Sequence, residues 1–452
     1  MKNPNIKFVR EKVYIGDVRF FSRMQLLDIL VWIGTNILGQ PPILLGIVTL
    51  IGLLLQKKPF DELVMSTFKA MIGVVMMIAG AGLFVQELLN FQTLVGAAVG
   101  VQPKYPPGYV SLADLTAKFG SYAAMIMTIG FIIHLLIARF TPLRFVYLTG
   151  HLMWWVSLTV VATILTVMPN ASPLTILGIG SVVMALYWSL QPAYIHGAMR
   201  EVMGSDEIAY GHTSSIAAFL GFKLGRYVGK PEESTEAIQF PKALSFFKDY
   251  AVSTAVILGI IMIIASAICY FVSPGTVAKL AGDLNPVIWA FLRGIYFAVS
   301  IVVLLTGVRM FIAEIVPAFR GFAQKIIPGA RPALDCPVVF PQAPTAVVIG
   351  FVSGLIVFLI FMAIFLATGF AVIVPPMIML FFPGGAAAVF GNRRGGWKGA
   401  VLAGAINGTF LAIGQAVTLP ALTYGPELAT LADPDWYIII WLLKAILSPF
   451  GG

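Results

Sequence analysis

The chain has few of the residues that build metal sites, disulfide frameworks or charged surfaces. Of its 452 residues, 11% are charged, four are histidines and two are cysteines. Cys269 and Cys336 lie far apart, so no disulfide framework is implied, and no cysteine stands beside a histidine. HExxH, Walker A, GxSxG and aspartate-rich motifs are all missing. The sequence therefore predicts no catalytic residue, no metal ligand and no cofactor site, and it gives little support to an enzyme that acts alone.

Apolar residues, in contrast, are abundant. They make up 59% of the chain, and the mean hydropathy is +0.93. A soluble domain of this composition would have too few charges to cover its surface. Many apolar windows approach the roughly 20 residues that a membrane-crossing helix needs. We therefore predict an all-α polytopic protein in a lipid membrane, with about eleven transmembrane helices. The windows are 41–56, 69–89, 119–138, 145–168, 173–192, 251–273, 285–316, 344–366, 366–383, 398–418 and 435–448.

Two parts of the chain depart from simple spans. The pairs Pro375-Pro376 and Pro383-Gly384 favour a broken or re-entrant element over a continuous helix. Residues 25–38 are too short to cross alone and are typical of an interfacial helix. The first 23 residues are basic and lack the apolar core of a cleavable signal peptide.

The basic residues predict an orientation. If the N-terminus of the first span lies outside, the inner loops carry thirteen lysines and arginines and the outer loops carry three. This bias satisfies the positive-inside rule, although the basic leading segment would itself prefer the cytoplasm. The net charge of +9 is therefore attributed to membrane orientation and not to nucleic-acid binding. The inner residues are Lys57, Lys58, Arg139, Arg144, Arg200, Lys223, Arg226, Lys230, Lys242, Lys248, Arg320, Lys325 and Arg331.

The chain also contains an internal similarity between AGAGLFVQEL at 79–88 and TGVRMFIAEI at 306–315. By the loop count, the two helices run in opposite directions, as an inverted repeat requires. Chance similarity between apolar helices is the alternative. The matched residues are Gly80 with Gly307, Phe84 with Phe311, and Glu87 with Glu314, and the two glutamates are expected to close helix ends or to pair with basic loops.

The repeat and the polar stretch in the middle of the chain suggest five regions. The stretch at 193–250 is interpreted as a cytoplasmic loop with short amphipathic pieces, too short for an independent catalytic domain. The regions are a basic N-terminal extension (1–23), a first transmembrane half (24–192), the loop (193–250), a second, inverted half (251–420) and a last helix (421–452).

Ionisable residues within apolar segments are the candidate functional residues, because such groups usually mark a substrate or ion path. His134, inside FIIHLLIARF, is expected to hydrogen-bond a neighbouring helix, and His196 to form a solvated cap. His151 and His212 each follow a glycine at an expected helix start, where either a ligand or a structural hydrogen bond fits. Trp154 and Trp155, next to His151, either line a site or belong to an interfacial belt.

Asp335 is a further candidate, because it lies on irregular backbone between Pro332 and Pro337. It either faces a substrate or pairs with Arg331. The adjacent Cys336 is interpreted as a small packed hydrophobe. These residues together favour a transporter.

Six segments carry a resemblance to a known family. In this order they resemble the membrane-spanning IIC component of the L-ascorbate phosphotransferase system, over about residues 24–420. The segments are LTGH at 148–151, YGH at 210–212, VGKPEES at 228–234, DYAVSTAV at 249–256, TGVRMFIAE at 306–314 and IIPGARPALDC at 326–336.

The resemblance implies a homodimer in a bacterial cell membrane. Each protomer would have a core domain that carries substrate and a V-shaped domain that dimerises, and transport would resemble an elevator movement. A separate IIB protein would phosphorylate the arriving substrate after being charged by IIA, the histidine phosphocarrier protein and enzyme I. The chain itself would supply no phosphorylation residue.

The resemblance also implies a set of substrate-binding residues, three of which depart from the family pattern. Trp155 and Thr213 stand where glutamines are usual, and Gly108 stands where a threonine is usual. Two alternatives therefore stay open besides ascorbate: a permease for another sugar or polyol such as galactitol, and an ion-coupled transporter of a small polar anion. A binding-only membrane sensor is a third. The implied residues are Gly108, Tyr109, His151, Leu152, Met153, Trp154, Trp155, His212, Thr213 and Asp335.

Overall fold

A computed structural model of the chain describes residues 26–100, 112–237 and 249–450. The described residues are almost entirely helical, which confirms the predicted all-α class. The basic extension, Gly108 and Tyr109 lie outside them. The helices are α1 (Leu26–Ile33), α2 (Pro41–Leu55), α3 (Phe60–Val99), α4 (Leu112–Phe140), α5 (Gly150–Val167), α6 (Pro173–Met203), α7 (Ser215–Gly225), α8 (Tyr250–Val272), α9 (Pro274–Ala281), α10 (Pro286–Lys325), α11 (Pro344–Thr368), α12 (Met377–Thr418) and α13 (Pro434–Leu447).

The described residues do not confirm the expected number of eleven spans. Within the described ranges, eight helices are long and apolar enough to cross a membrane, and a ninth span results if residues 26–38 and 41–55, bent by 88°, count as one. The expected window 366–383 is wrong, because α11 ends at Thr368 and the chain stays non-helical up to Pro376. Two successive prolines lack backbone donors and so prevent a helix there. The last window forms only the 14 residues of α13, which are short for a crossing.

The break expected at Pro375-Pro376 exists, the one expected at Pro383-Gly384 is wrong because both residues lie inside α12, and α12 has its own break at Gly396. This residue has φ 56° and ψ −151°, a conformation that glycine adopts most readily. A Cβ on Gly391 would lie 2.2 Å from the carbonyl oxygen of Gly399, so the two sides of the break are in backbone contact. A Cβ on Gly384 would lie 3.2 Å from Nδ2 of Asn407. Since positions before and after Gly396 meet in reverse order, α12 is a tight antiparallel hairpin.

The longest two helices, α3 and α10, cross through small residues. A Cβ on Gly80 would lie 2.8 Å from the carbonyl oxygen of Ser300, and a Cβ on Gly307 would lie 2.6 Å from that of Gly73. Both helices have 40 residues, and the four positions are related by one offset, since Gly307 lies 227 positions after Gly80 and Ser300 lies 227 positions after Gly73. The same contact is therefore made twice with the roles exchanged, which supports the inverted repeat at this crossing.

Glu87 takes part in the same crossing, and the expectation that it closes a helix end or pairs with a loop is wrong. It lies inside α3 and is buried. Arg293 of α10 donates from Nη1 to Oε1 at 3.1 Å, and Asn90 donates from Nδ2 to Oε2 at 3.2 Å. A buried carboxylate needs such partners. Glu87 therefore joins the two long helices.

Three very short strands form a parallel sheet with the order β1-β3-β2. Phe145 pairs with Arg331, and Ala209 pairs with Ala333. Strands of two to four residues are too short to show an alternating pattern, so the sequence did not predict them. The strands are β1 (Phe145–Tyr147), β2 (Ala209–Tyr210) and β3 (Arg331–Leu334).

His134 has the structural role that the sequence suggested. Its Nδ1 lies 2.8 Å from Oγ of Ser189 on α6, and its Nε2 accepts the backbone N–H of Tyr147 at 3.0 Å. Since Nε2 is the acceptor, Nδ1 carries the proton and donates to the serine. This fully buried histidine ties α4 and α6 to the end of β1.

Candidate functional site

The sheet brings together three predicted residues that are distant in sequence. His151 follows the end of β1 by four residues, His212 follows β2 by two, and Asp335 follows β3 directly. The carboxyl ends of parallel strands meet at one edge, which is where ligands bind in open sheets. The backbone N–H of Gly211 donates to the carbonyl oxygen of Leu334 at 2.8 Å and continues the pairing past β2.

Asp335 lies between the two imidazoles. Its Oδ2 is 3.6 Å from Nε2 of His151, and its Oδ1 is 3.6 Å from Nε2 of His212. These distances exceed those of normal hydrogen bonds. Oδ1 also accepts the backbone N–H of Cys336 at 2.7 Å, which fixes the carboxylate at the start of the 3-10 helix Cys336–Gln342. The three side chains are therefore close enough to contact one ligand, but too far apart to form normal hydrogen bonds with one another.

The protonation of His212 follows from its neighbours. The backbone N–H of Ser214 donates to Nδ1 at 3.1 Å, so Nδ1 is an acceptor. The hydroxyl of Ser214 lies 2.9 Å from the same atom and is itself 2.8 Å from the hydroxyl of Tyr210. His212 therefore carries its proton on Nε2, which faces Asp335 and presents a donor.

A cavity of about 470 Å³ opens beside these groups, a volume typical of small-molecule sites. Met77 and Phe311, from α3 and α10, also line the cavity. The lining is thus polar at the sheet edge and apolar where α3 and α10 contribute. The implied site residues among its lining are His151, Leu152, Trp155, His212 and Asp335.

Other implied residues point elsewhere. Met153 is fully buried and does not line the cavity. Trp154 packs toward α4, with ring atoms 3.6 Å from where a Cβ on Gly120 would be. Thr213 donates its hydroxyl to Asp433 and does not itself line the cavity.

The alternative role for Asp335, an ion pair with Arg331, is wrong. Arg331 bonds Asp206 through Nη2 to Oδ2 and through Nε to the carbonyl oxygen at 2.9 Å. The hydrogen bond from Arg331 lowers the pKa of Asp206 below its ordinary value. His196 also contacts Asp206, at 2.6 Å, so it pairs with a loop residue and is not simply a solvated cap. Because Arg331 pairs with Asp206, the side chain of Asp335 is available to a ligand in the cavity that it lines.

The sequence reasoning missed two aspartates at the start of α13. Asp433 lines the cavity and places Oδ2 3.8 Å from Nδ1 of His212. Asp435 accepts the hydroxyl of Tyr187 at 2.7 Å and the backbone N–H of Ile216 at 2.9 Å. The signal was present as DPDW at 433–436, but Asp followed by Pro reads as an ordinary helix start.

One group of side chains has the spacing of a metal site. His212, Asp335 and Cys336 each offer one ligand atom, and these atoms lie within 4.8 Å of one another. Imidazole, carboxylate and thiolate are the usual ligands of Zn²⁺. A metal ion there would occupy the same nitrogen and oxygen atoms that face the cavity, so it would compete with an organic ligand.

The chain as a whole is similar to known permease components. The family whose model matches residues 36–435 is EIIC-GAT, the sugar-specific permease component of the PTS system. The chain is also similar to the ascorbate-specific PTS system EIIC component of Mycoplasma pneumoniae. The two are 28% identical over 448 aligned residues, which cover 88% of this chain and 68% of that protein.

Proposed function

The chain belongs to the family of sugar-specific permease components of the phosphotransferase system, and on this premise we propose that it translocates L-ascorbate or a closely related small polyhydroxylated acid. The family and the apolar helices make it an integral membrane protein. The observation that carries the choice of site is the meeting of His151, His212 and Asp335 at one wall of the cavity. The similarity to an ascorbate-specific relative supports the substrate.

The geometry suits a ligand with several hydroxyls. Nε2–H of His212 donates to a ligand oxygen, and Asp335 accepts from a neighbouring hydroxyl. A hydrogen bond to a charged partner contributes about 1.5–3 kcal/mol. The ring of Trp155, on the cavity wall, stacks on one face of a flat lactone and adds about 1 kcal/mol.

The position of the cavity suits an elevator movement. One wall comes from the sheet edge and the other from α3 and α10, so the site lies between two groups of helices. If the helices that carry the sheet slide against α3 and α10, the substrate moves with His151, His212 and Asp335. In this proposal α1–α3 and α8–α10 form the dimerising domain of a bacterial cell-membrane homodimer, and the remaining helices form the core. The IIB protein, charged by IIA, phosphorylates the substrate as it reaches the cytoplasm.

The test uses the full-length protein in vesicles loaded with IIB and the phosphate-donating proteins. Labelled ascorbate should appear inside only as the phosphorylated compound, and uptake should stop when IIB is omitted. Accumulation of unmodified ascorbate without IIB, driven by a proton or sodium gradient, would contradict the proposal and favour an ion-coupled transporter. Saturable binding without any uptake would indicate a sensor.

A further inference from the structure

Asp433 occupies a helix-capping position but does not cap. It precedes Pro434, the first residue of α13, and its side chain makes no hydrogen bond to the helix start. An aspartate there normally accepts a backbone N–H of the first turn. Asp249, at the start of α8, does so, because its Oδ1 accepts the N–H of Ala251 at 2.9 Å and of Val252 at 3.0 Å. The carboxylate of Asp433 is therefore turned away from a stabilising interaction that its position offers.

Instead, the carboxylate is held at the cavity. Thr213 donates its hydroxyl to Oδ2, and the same oxygen lies 3.8 Å from Nδ1 of His212. Among the described residues none donates a hydrogen bond to Oδ1. Asp433 lines the cavity, so this oxygen can accept a hydrogen bond from a ligand that enters it.

A second unpaired group lies one turn further on. Trp436 also lines the cavity and is 2% exposed, and its indole N–H has no hydrogen-bond partner within the described part of the chain. Buried indole N–H groups usually find a partner. The start of α13 thus contributes to the cavity lining the acceptor Oδ1 of Asp433 and an indole ring whose enclosed N–H pairs with no described residue.

The neighbouring Asp435 explains how the segment is kept in place. Its carboxylate accepts the hydroxyls of Tyr187 and Ser215 and the backbone N–H of Ile216, and its own N–H donates to the carbonyl oxygen of Thr213 at 2.9 Å. Every one of these contacts is internal. Asp435 is a positioning residue, which leaves Asp433 available to a ligand.

We propose that Asp433 is a substrate-binding residue that accepts a hydrogen bond from a substrate hydroxyl. The inference rests on the proposed function, because it requires the substrate to occupy this cavity. Asp335 and Asp433 lie on opposite sides of the His212 ring, toward Nε2 and Nδ1 respectively. They therefore select a ligand with at least two separated hydroxyl donors, which describes a polyhydroxylated sugar derivative.

The experiment compares Asp433→Asn with Asp249→Asn in the purified full-length protein. Binding of labelled ascorbate and of galactitol is measured, together with the apparent melting temperature without ligand. Asp433→Asn should weaken binding about tenfold or more, because the Asn oxygen accepts from Thr213 and its amide NH2 then replaces the acceptor that the substrate hydroxyl needs. Its melting temperature should stay at the wild-type value, since Asn can still accept from Thr213. Asp249→Asn should change neither quantity, because Asn caps as well as Asp.

The opposite pattern, a lower melting temperature with unchanged affinity, would overturn the inference and make Asp433 structural. If Asp433→Asn does not fold, Thr213→Val is measured instead, because it removes the hydroxyl that orients the Asp433 carboxylate. Binding to this variant should weaken several-fold, and an unchanged affinity would overturn the inference. Wild-type protein that binds neither probe would defeat the proposed substrate class and this inference together. Wild-type protein that binds, with an equally tight Asp433→Asn variant, would defeat this inference alone.

Discussion

Two acidic residues of this protein, Glu87 at the crossing of α3 and α10 and Asp335 at the sheet edge, have opposite surroundings. Both oxygens of Glu87 accept hydrogen bonds at 3.1–3.2 Å, from Arg293 and from Asn90. Asp335 has one short bond, to its own neighbouring backbone, and two imidazoles at 3.6 Å. The carboxylate of Glu87 has hydrogen-bond partners on both oxygens and holds two helices together. The carboxylate of Asp335 has fewer partners and lies beside a cavity, where a ligand can supply the missing hydrogen bonds.

The backbone around the two residues differs in the same way. At the crossing, the helices approach so closely that an added Cβ would meet backbone atoms at 2.5–2.8 Å. At the sheet edge a cavity of about 470 Å³ remains open. Close packing makes the crossing of α3 and α10 rigid, whereas the sheet edge keeps enough space for a small-molecule ligand.

The largest effect, a loss of folded protein, is expected from placing a bulky side chain between α3 and α10. Gly307→Leu places a side chain where a Cβ alone would be 2.5 Å from the backbone nitrogen of Met77. Overpacking against backbone costs at least about 1–3 kcal/mol and here leaves no side chain to move aside. We expect no monodisperse protein after detergent extraction, measured by size-exclusion chromatography.

Gly82→Leu is the matched control, since nothing lies within 4 Å of a Cβ at that position of α3. It should be recovered in wild-type amounts. Equal recovery of both variants would show that the crossing is less close than described.

Breaking the ion pair should have the next largest effect. Glu87→Gln leaves the charge of Arg293 largely buried without its partner, which costs about 3–5 kcal/mol. The apparent melting temperature should fall strongly. Glu314→Gln, at the position that matches Glu87 in the repeat, is the control. No hydrogen bond to the Glu314 side chain occurs among the described residues, so its melting temperature should change little.

Asp335→Asn should leave the fold intact and weaken substrate binding by about tenfold to a hundredfold. Arg331 is already paired with Asp206, so the substitution breaks no ion pair with that arginine. The measurement is the dissociation constant of labelled ascorbate, with Asp283→Asn, an exposed loop residue, as control. A variant that does not fold would show that Asp335 belongs with Glu87 as a structural carboxylate.

Trp155→Gln tests the apolar side of the cavity and should have a smaller effect, on the order of 1 kcal/mol or about fivefold in affinity. Binding of the most hydroxylated ligands should improve, and binding of a flat lactone should weaken. The tryptophan fluorescence of the parent should change when ligand is added, and that of the variant should change much less. An identical response in both proteins would place Trp155 outside the binding site.

The smallest effect concerns pH and the loop beside β3. The bond from Arg331 lowers the pKa of Asp206 below its ordinary value of 3.8, so the stabilisation is complete above that pH and is lost as pH falls further. Because the pair is partly exposed, its contribution is small. Asp206→Asn should remove this acid-dependent part of the melting temperature, and an unchanged profile between pH 5 and pH 2 would contradict the assignment.

The sequence alone was sufficient for the class of the protein and for much of its scaffold. Apolar windows of about 20 residues predict helices because lipid leaves no other way to satisfy the backbone. His134 was correctly expected to be structural, and the match of Gly80 with Gly307 pointed to the crossing of the two long helices. The window 366–383 failed as a single span because it contains Pro375-Pro376, the pair that already favoured a break on sequence grounds.

Only the tertiary structure decided which polar residues act together. His151, His212, Asp335 and Asp433 come from four separate segments, and three strands of two to four residues bring the first three to one edge. Such strands carry no periodic signal, and their pairing depends on residues more than 120 positions apart. An aspartate before a proline predicts a helix start, and the sequence pattern is the same whether the carboxylate caps the helix or points elsewhere. The hydroxyl of Thr213, 220 positions away in the sequence, donates to the Asp433 carboxylate and holds it at the cavity. The sequence around Asp433 carries no sign of this contact.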